Sequence, residues 1–167
     1  NPIAFAIPAK RRQPLLLDMS TSTVANGKIM GAKDAGKDIP TGWGLDAEGH
    51  DTTDPKKVKT LLPLGGPKGS GLSLMIECLT SLTIANPLIA RALVEKTLAD
   101  NPVLNGLAIA VDLAVFGDLD EFTGEVDRVA DAIAGLPRAD GFDEILMPGE
   151  RGHREMAARE ANGIKIA

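Results

Sequence analysis

LLPLGGPKGSGLSLMIECLTSLTIA, residues 61–85, joins an apolar lead-in to a glycine-rich turn bearing one lysine, then runs into the strongest helical pattern of the chain. Leu72, Met75, Ile76, Leu79, Leu82 and Thr83 recur at three- and four-residue steps, the period of one helical face. This predicts a central helix from Gly69 onward, packed on a sheet and stopped by Asn86 and Pro87. Glycines at 65, 66, 69 and 71 permit positive φ or close backbone approach, and a helix opening there presents unpaired N–H groups beside Lys68. The outline is that of an anion site. A plain turn with tight packing is the competing reading, because the spacing is neither that of a Walker loop nor GxGxxG.

On the N-terminal side of this stretch, PIAFAIP (2–8) and PLLLDMS (14–20) read as two short strands joined by the charged turn Lys10–Gln13. Their prolines sit at the ends because proline cannot donate to a ladder. Hydroxyls at 20–23 stand where one of them could cap a weak helix over 22–37, which is interrupted by Gly27, Gly31 and Gly36. Residues 38–55, DIPTGWGLDAEGHDTTDP, have the composition of a loop, with Trp43 as its packing anchor and His50 exposed.

On the C-terminal side, polar residues 91–101 lead to GLAIAVDLAVF (106–116), a nearly continuous apolar run that predicts a strand buried on both faces. Asp118 and Glu121 have the spacing of a capping box, with Phe122, Val126, Val129 and Ile133 along one face of the helix that follows. Gly135-Leu136-Pro137 ends it. Residues 141–147 can form a short strand. Residues 152–160 then make a helix with Glu155 and Arg159 as an i,i+4 pair; with few apolar residues it needs another domain or chain to dock on. Strands alternating with helices argue for a layered α/β arrangement.

The composition narrows the function. At 167 residues, 44% of them hydrophobic, the chain can bury a core. A net charge of −5 gives no overall attraction to nucleic acid, and the basic clusters Lys10–Arg12 and Lys56–Lys59 read as solvated edges without an aromatic platform. Cys78 is the only cysteine, so no internal disulfide forms, and its place among apolar helix residues predicts a buried thiol. Without a signal core or an apolar run of 18 residues, the expectation is a cytoplasmic protein that meets no membrane. The chain opens at Asn1 directly in a strand pattern and reads as a piece of something longer. No metal-ligand spacing and no nucleophile elbow accompany the anion site. A cofactor-binding part whose chemistry is housed elsewhere fits that combination.

Several stretches resemble the malate/L-lactate dehydrogenase family that is unrelated to the Rossmann-type dehydrogenases: NPIAFAIP (1–8), LLLDMSTS (15–22), GKI (27–29), IPTGWGLDAEG (39–49), TTDP (52–55), LLPLGGPKGSGLSLMIE (61–77), MPGE (147–150) and HREMAAREANGI (153–164). They follow the family's order and cover most of the chain. The resemblance implies a layered mixed sheet flanked by helices, of the L-sulfolactate dehydrogenase type. It implies an oxidoreductase that uses NAD or NADP to interconvert 2-oxo and 2-hydroxy acids, or imines in some members, as a homodimer.

By the same resemblance, the cofactor contacts are Asp18, Met19 and Ser20, then Pro67, Lys68, Gly69 and Gly71, then Pro148, Gly149 and Glu150. Lys68 would pair with a cofactor phosphate while Gly69 and Gly71 allow backbone approach. Members are roughly twice as long, and their preceding part supplies the catalytic histidine; neither His50 nor His153 occupies that position. Gly66 and Pro67 stand where an aromatic residue is common. The division expected is a cofactor-binding domain over 1–147 and, over 148–167, a helix and tail that dock on the missing N-terminal domain or a partner chain. Three readings follow: the cofactor-binding half of a dehydrogenase that works with a separate N-terminal chain, an inactive truncated homologue, or a non-catalytic nucleotide- or anion-binding module.

Overall fold

A computed structural model describes residues 2–89, 91–95 and 104–164. The elements are β1 (Pro2–Ile7), β2 (Leu15–Ser20), α1 (Asn26–Asp34), β3 (Gly44–Leu45), β4 (Thr60–Leu61), α2 (Pro67–Thr80), α3 (Leu119–Ala134) and α4 (Glu150–Asn162), with short 3-10 turns at Leu82–Ile84 and Leu113–Val115 and a π turn at Arg91–Glu95. Strands β1 and β2 pair, as the proline-bracketed runs predict, and β3 pairs antiparallel with β4, Gly44 opposite Leu61. The chain divides into two compact units. One comprises Asn1–Ile3 and Met19–Ile109, the other Ala4–Asp18 and Ala110–Ala167.

The first unit has its core where α1 meets the 38–62 loop region. Val24, Ile29 and Ile39 are buried, and Ala32, Trp43, Val58 and Leu61 pack on them, so Trp43 anchors the loop as its composition suggests. No hydroxyl caps α1: its N-cap is Ala25, because Ser22 Oγ is bound to the carbonyl of Val24 and to Ser20 Oγ. The loop is held by its aspartates. Asp51 accepts from Gly42 N–H, and Asp46 accepts from the N–H groups of Glu48 and His50. His50 is exposed.

α2 begins at Pro67, two residues before the expected start, since Gly66 at φ 62° serves as N-cap and proline is suited to the first helical position. Leu74, Met75 and Leu79 are about half exposed, so this helix is not covered by a sheet among the described residues. Cys78 is half-buried rather than fully buried. At the far end of α2, buried Glu77 accepts from the N–H groups of Leu88 (2.7 Å) and Ile89 (3.0 Å), which turns the chain back after Asn86-Pro87.

The second unit is arranged on α3. Asp118 caps it, accepting from Glu121 N–H at 2.8 Å, and Gly135 terminates it, both as the sequence pattern predicts. The strand expected over 106–116 does not form: 104–112 carries no ladder, and Leu113–Val115 is a 3-10 turn begun by Asp112. Leu107, Ile109 and Val111 lie exposed. The short strand expected over 141–147 is likewise irregular chain, and the last helix starts at Glu150 rather than 152. Glu155 and Arg159 form their pair at 2.7 Å. Residues 96–101 of the expected polar linker lie outside the described residues. No helix among the described residues is long and apolar enough to cross a membrane.

Candidate functional site

The glycine-rich turn is locked to the end of β2. Leu64 N–H donates to the carbonyl of Thr21 at 2.9 Å, Thr23 N–H donates to the carbonyl of Leu62 at 2.8 Å, and Ser22 and Pro63 form an antiparallel bridge. Thr21, the residue after Ser20, is thereby held on the turn that leads into α2. Gly69 is where the two chains touch. A Cβ there would stand 2.5 Å from both the Thr21 carbonyl oxygen and Leu64 N, so only glycine fits without moving backbone. Around Gly71 there is open space.

The first turn of α2 differs from the sequence expectation in one chemical respect. Pro67 has no N–H, and the next three are occupied: Lys68 N–H by the carbonyl of Gly65, Gly69 N–H by that of Leu64, Ser70 N–H by that of Gly66. The helix start satisfies its own donors through the two positive-φ glycines Gly65 and Gly66. An anion here meets the positive end of the helix dipole and the exposed Lys68 ammonium, rather than a cradle of free amides.

Pro148, Gly149 and Glu150 sit against the start of β2. Leu16 N–H donates to the carbonyl of Pro148 at 3.0 Å, and a Cβ on Gly149, itself at φ 87°, would come within 2.9 Å of Leu16 Cβ. Glu150 closes this turn by accepting from Met147 N–H (3.0 Å) and pairing with Arg154 (2.7 Å), and these two contacts hold its carboxyl below the usual carboxylate range. A cleft of about 430 Å³ opens beside it, lined among others by Arg12, Gln13, Leu15, Glu150, His153 and Met156. Asp18 is exposed on β2, Met19 and Ser20 are half-buried, and Pro148 is exposed.

Lys10–Arg12 is exposed for the most part, as read from the sequence, but it is tied to α3. Lys10 pairs with Asp120 (2.5 Å), Arg11 and Arg12 both reach Asp131, and the N–H groups of Arg11 (2.8 Å) and Arg12 (3.2 Å) donate to Asp127. The two guanidiniums, Arg12 first, hold the Asp131 carboxyl below its ordinary range. Asp127 is 1% exposed and is a residue that reading the sequence missed. Its signal was the spacing of Asp120, Asp127 and Asp131, seven and four apart on one face of α3, opposite a run of three cations. Among the described residues no group of three or more His, Cys, Asp or Glu is arranged to hold a metal ion.

The malate/L-lactate dehydrogenase family description matches residues 1–167. A (2R)-3-sulfolactate dehydrogenase (NADP(+)) of Chromohalobacter salexigens is 37% identical over 92% of this chain and 44% of its own length. A Delta(1)-pyrroline-2-carboxylate reductase of Ancylobacter novellus is 37% identical over 99% of this chain and 48% of its own. The solved sulfolactate dehydrogenase from Methanocaldococcus jannaschii superimposes with a TM-score of 0.79 at 36% identity, covering 100% of this chain and 48% of that one. A malate dehydrogenase from Entamoeba histolytica gives a TM-score of 0.83 at 28% identity over 95% of this chain and 48% of its own. The chain therefore spans about half the length of the relatives it matches, with the same α/β fold over that half. From its first strand to its last helix, this chain belongs to the malate/L-lactate dehydrogenase family.

Proposed function

We propose that this chain is the cofactor-binding part of an NAD(P)-dependent oxidoreductase that moves a hydride between the nicotinamide ring and a 2-oxo or 2-hydroxy acid of the malate or lactate type. The observation that supports the reading is the lock between Thr21 and the Leu64–Gly69 turn, which joins the end of β2 to the turn that leads into α2. Those two stretches are distant in sequence, and both belong to the family pattern of cofactor contacts. The donor set suits a dinucleotide: an exposed ammonium at a helix N-terminus for phosphate, hydroxyl and carbonyl groups at the end of β2 for the rest.

When bound, the nicotinamide supplies or accepts the hydride. This chain's residues bind and orient. Lys68 offsets phosphate charge, Ser20 presents a hydroxyl held near Ser22, and Gly149 with Glu150 shapes the turn against Leu16. Asp18 and Gly71 lie exposed at the margins of these segments and are included as contacts. The group that moves the substrate's oxygen-bound proton belongs to the half of the enzyme outside this chain. The working form is that half together with this one, in a homodimer, with helix α4 docking on that half or on a partner chain.

The test is an NAD(P)H-coupled screen of pyruvate, oxaloacetate, sulfopyruvate, diketogulonate and cyclic imino acids with both halves present. Oxidation of NADH or NADPH with at least one 2-oxo or imino acid is expected. Binding of either nucleotide with no turnover on the whole panel would support a non-catalytic module instead.

A further inference from the structure

The turn that carries Pro148, Gly149 and Glu150 is tied off by its own side chains. Glu150 N–H donates to the carbonyl of Met147 (3.0 Å) and Glu150 Oε2 accepts from Met147 N–H (3.0 Å), so residues 147 and 150 close on each other in both directions. The second carboxylate oxygen, Oε1, accepts from Arg154 Nη2 at 2.7 Å. Arg154 lies one turn further along α4. Its other terminal nitrogen, Nη1, stands 2.8 Å from both oxygens of Glu144, in the irregular chain that enters the turn. One guanidinium thus holds residues 144 and 150 at once, and the stretch between them is strapped to α4.

The arrangement uses what a guanidinium has and an ammonium lacks, donors fixed in a plane that can face two carboxylates together. The carboxylates in turn need it. Without the guanidinium, Glu144 and Glu150 are two like charges converging on one place, and among the described residues Glu144 has no other ion pair. At 53% and 51% side-chain exposure, Arg154 and Glu144 are screened by water, so their pair adds little to global stability. Its effect is local: a bridge with two ends decides the conformation of the segment between them, which opens at a lower free energy than the fold as a whole.

We infer that Arg154, braced by Glu144, is the positioning residue of the Pro148–Glu150 turn, acting through the Glu150 carboxylate rather than by touching cofactor. The inference rests on the reading that this turn contacts NAD(P). A turn that is closed only part of the time offers a complete site only part of the time, and the apparent affinity falls by that fraction. Arg154 therefore enters the KM for the nucleotide and leaves turnover at saturation alone.

Two readouts on the assembled enzyme, with both halves present, test it: hydrogen–deuterium exchange of the Met147 amide at single-residue resolution, and the KM for NAD(P)H. Arg154→Ala should speed Met147 exchange and raise the KM, each by about 10-fold, with kcat and the urea midpoint unchanged. Arg154→Lys, whose ammonium cannot face both carboxylates, should stay closer to Arg154→Ala than to the wild type. Glu144→Gln changes sign with its background. Alone it loosens the brace and should speed Met147 exchange by about 2- to 3-fold; added to Arg154→Ala it removes the repulsion and should slow that exchange again. Glu144→Gln alone also carries the test if Arg154→Ala does not fold. Met147 exchange that neither single variant alters overturns the inference, as does full rescue by Arg154→Lys. Faster Met147 exchange with an unchanged KM keeps Arg154 as the brace of the turn and removes residues 148–150 from the cofactor site, so the two claims fail separately.

Discussion

The carbonyl oxygen of Thr21 lies 2.5 Å from where a Cβ on residue 69 would stand, and Leu64 N lies equally close. Both are backbone atoms already committed to each other by a 2.9 Å hydrogen bond, so neither can yield without opening the lock. Gly69→Ala should cost about 3 kcal/mol, at the upper end of the range for overpacking. Gly71→Ala, two residues on in open space, should be neutral or stabilise by up to about 1 kcal/mol through helix propensity. Urea denaturation of the two variants reads the contrast directly. Equal midpoints would mean that the turn moves aside and that the lock is not what holds Thr21 against the Leu64–Gly69 turn.

A second test concerns Asp127, whose two oxygens accept from the N–H groups of Arg11 and Arg12 while the residue itself is 1% exposed. Asp127→Ala leaves both donors without an acceptor, and a deficit of about 3 kcal/mol is expected. Asp127→Asn keeps one acceptor oxygen and should fall between. Asp131→Ala removes the better-looking ion pairs to the same two arginines, yet at 46% side-chain exposure water competes for those charges, and the loss should be much smaller. Exchange rates of the Arg11 and Arg12 amides separate the cases: they should rise with Asp127→Ala and stay unchanged with Asp131→Ala.

Gly69 and Asp127 show what the sequence could and could not carry. The helices were legible because their signals are local: Asp118 and Glu121 for the start of α3, Gly135 and Pro137 for its end, the three- and four-step apolar pattern for α2. The 18–20, 67–68 and 148–150 segments rest on motif resemblance alone and stand as proposed contacts. What escaped is non-local. Asp127 acts across 116 positions, and the tightness at Gly69 depends on the carbonyl of Thr21, far back in the chain. The predicted strand over 106–116 misread the environment rather than the composition, since a nearly continuous apolar run needs a neighbour to become a ladder and none of the described residues supplies one.

Glu77 ties stability to acid pH. Burial works against its charge, but the N–H groups of Ile89 and Leu88 and the Ser81 hydroxyl outweigh that, so the folded carboxyl titrates below its ordinary 4.5. A group depressed in the folded state contributes stability that is complete above the unfolded value and is lost as pH falls through the folded one. The denaturant midpoint should therefore drop below about pH 4.5. Glu77→Gln should lower the midpoint at neutral pH and flatten the acid part of the profile, because the amide has no charge to lose. A variant profile parallel to the wild type down to about pH 3 would assign the acid sensitivity to other carboxylates.

Lys68 carries the most direct test of the cofactor reading. The first-turn amides of α2 are spent on the carbonyls of Leu64, Gly65 and Gly66, so the Lys68 ammonium is the strongest phosphate ligand this segment offers. The helix dipole adds to that charge without a directed donor. Removing one charge-assisted contact to phosphate costs about 1.5–3 kcal/mol, so Lys68→Ala should raise the KM for NAD(P)H by about 10- to 150-fold in the assembled enzyme. Turnover at saturating cofactor should change little, because a phosphate contact remote from the hydride helps ground state and transition state alike. Lys68→Arg keeps the charge and should recover most of the affinity, and the wild-type KM should rise with salt while that of Lys68→Ala rises less. A KM for cofactor that is the same in wild type and Lys68→Ala, at low and high salt, would take Lys68 out of the phosphate site and leave the α2 turn a structural joint between Thr21 and Gly69.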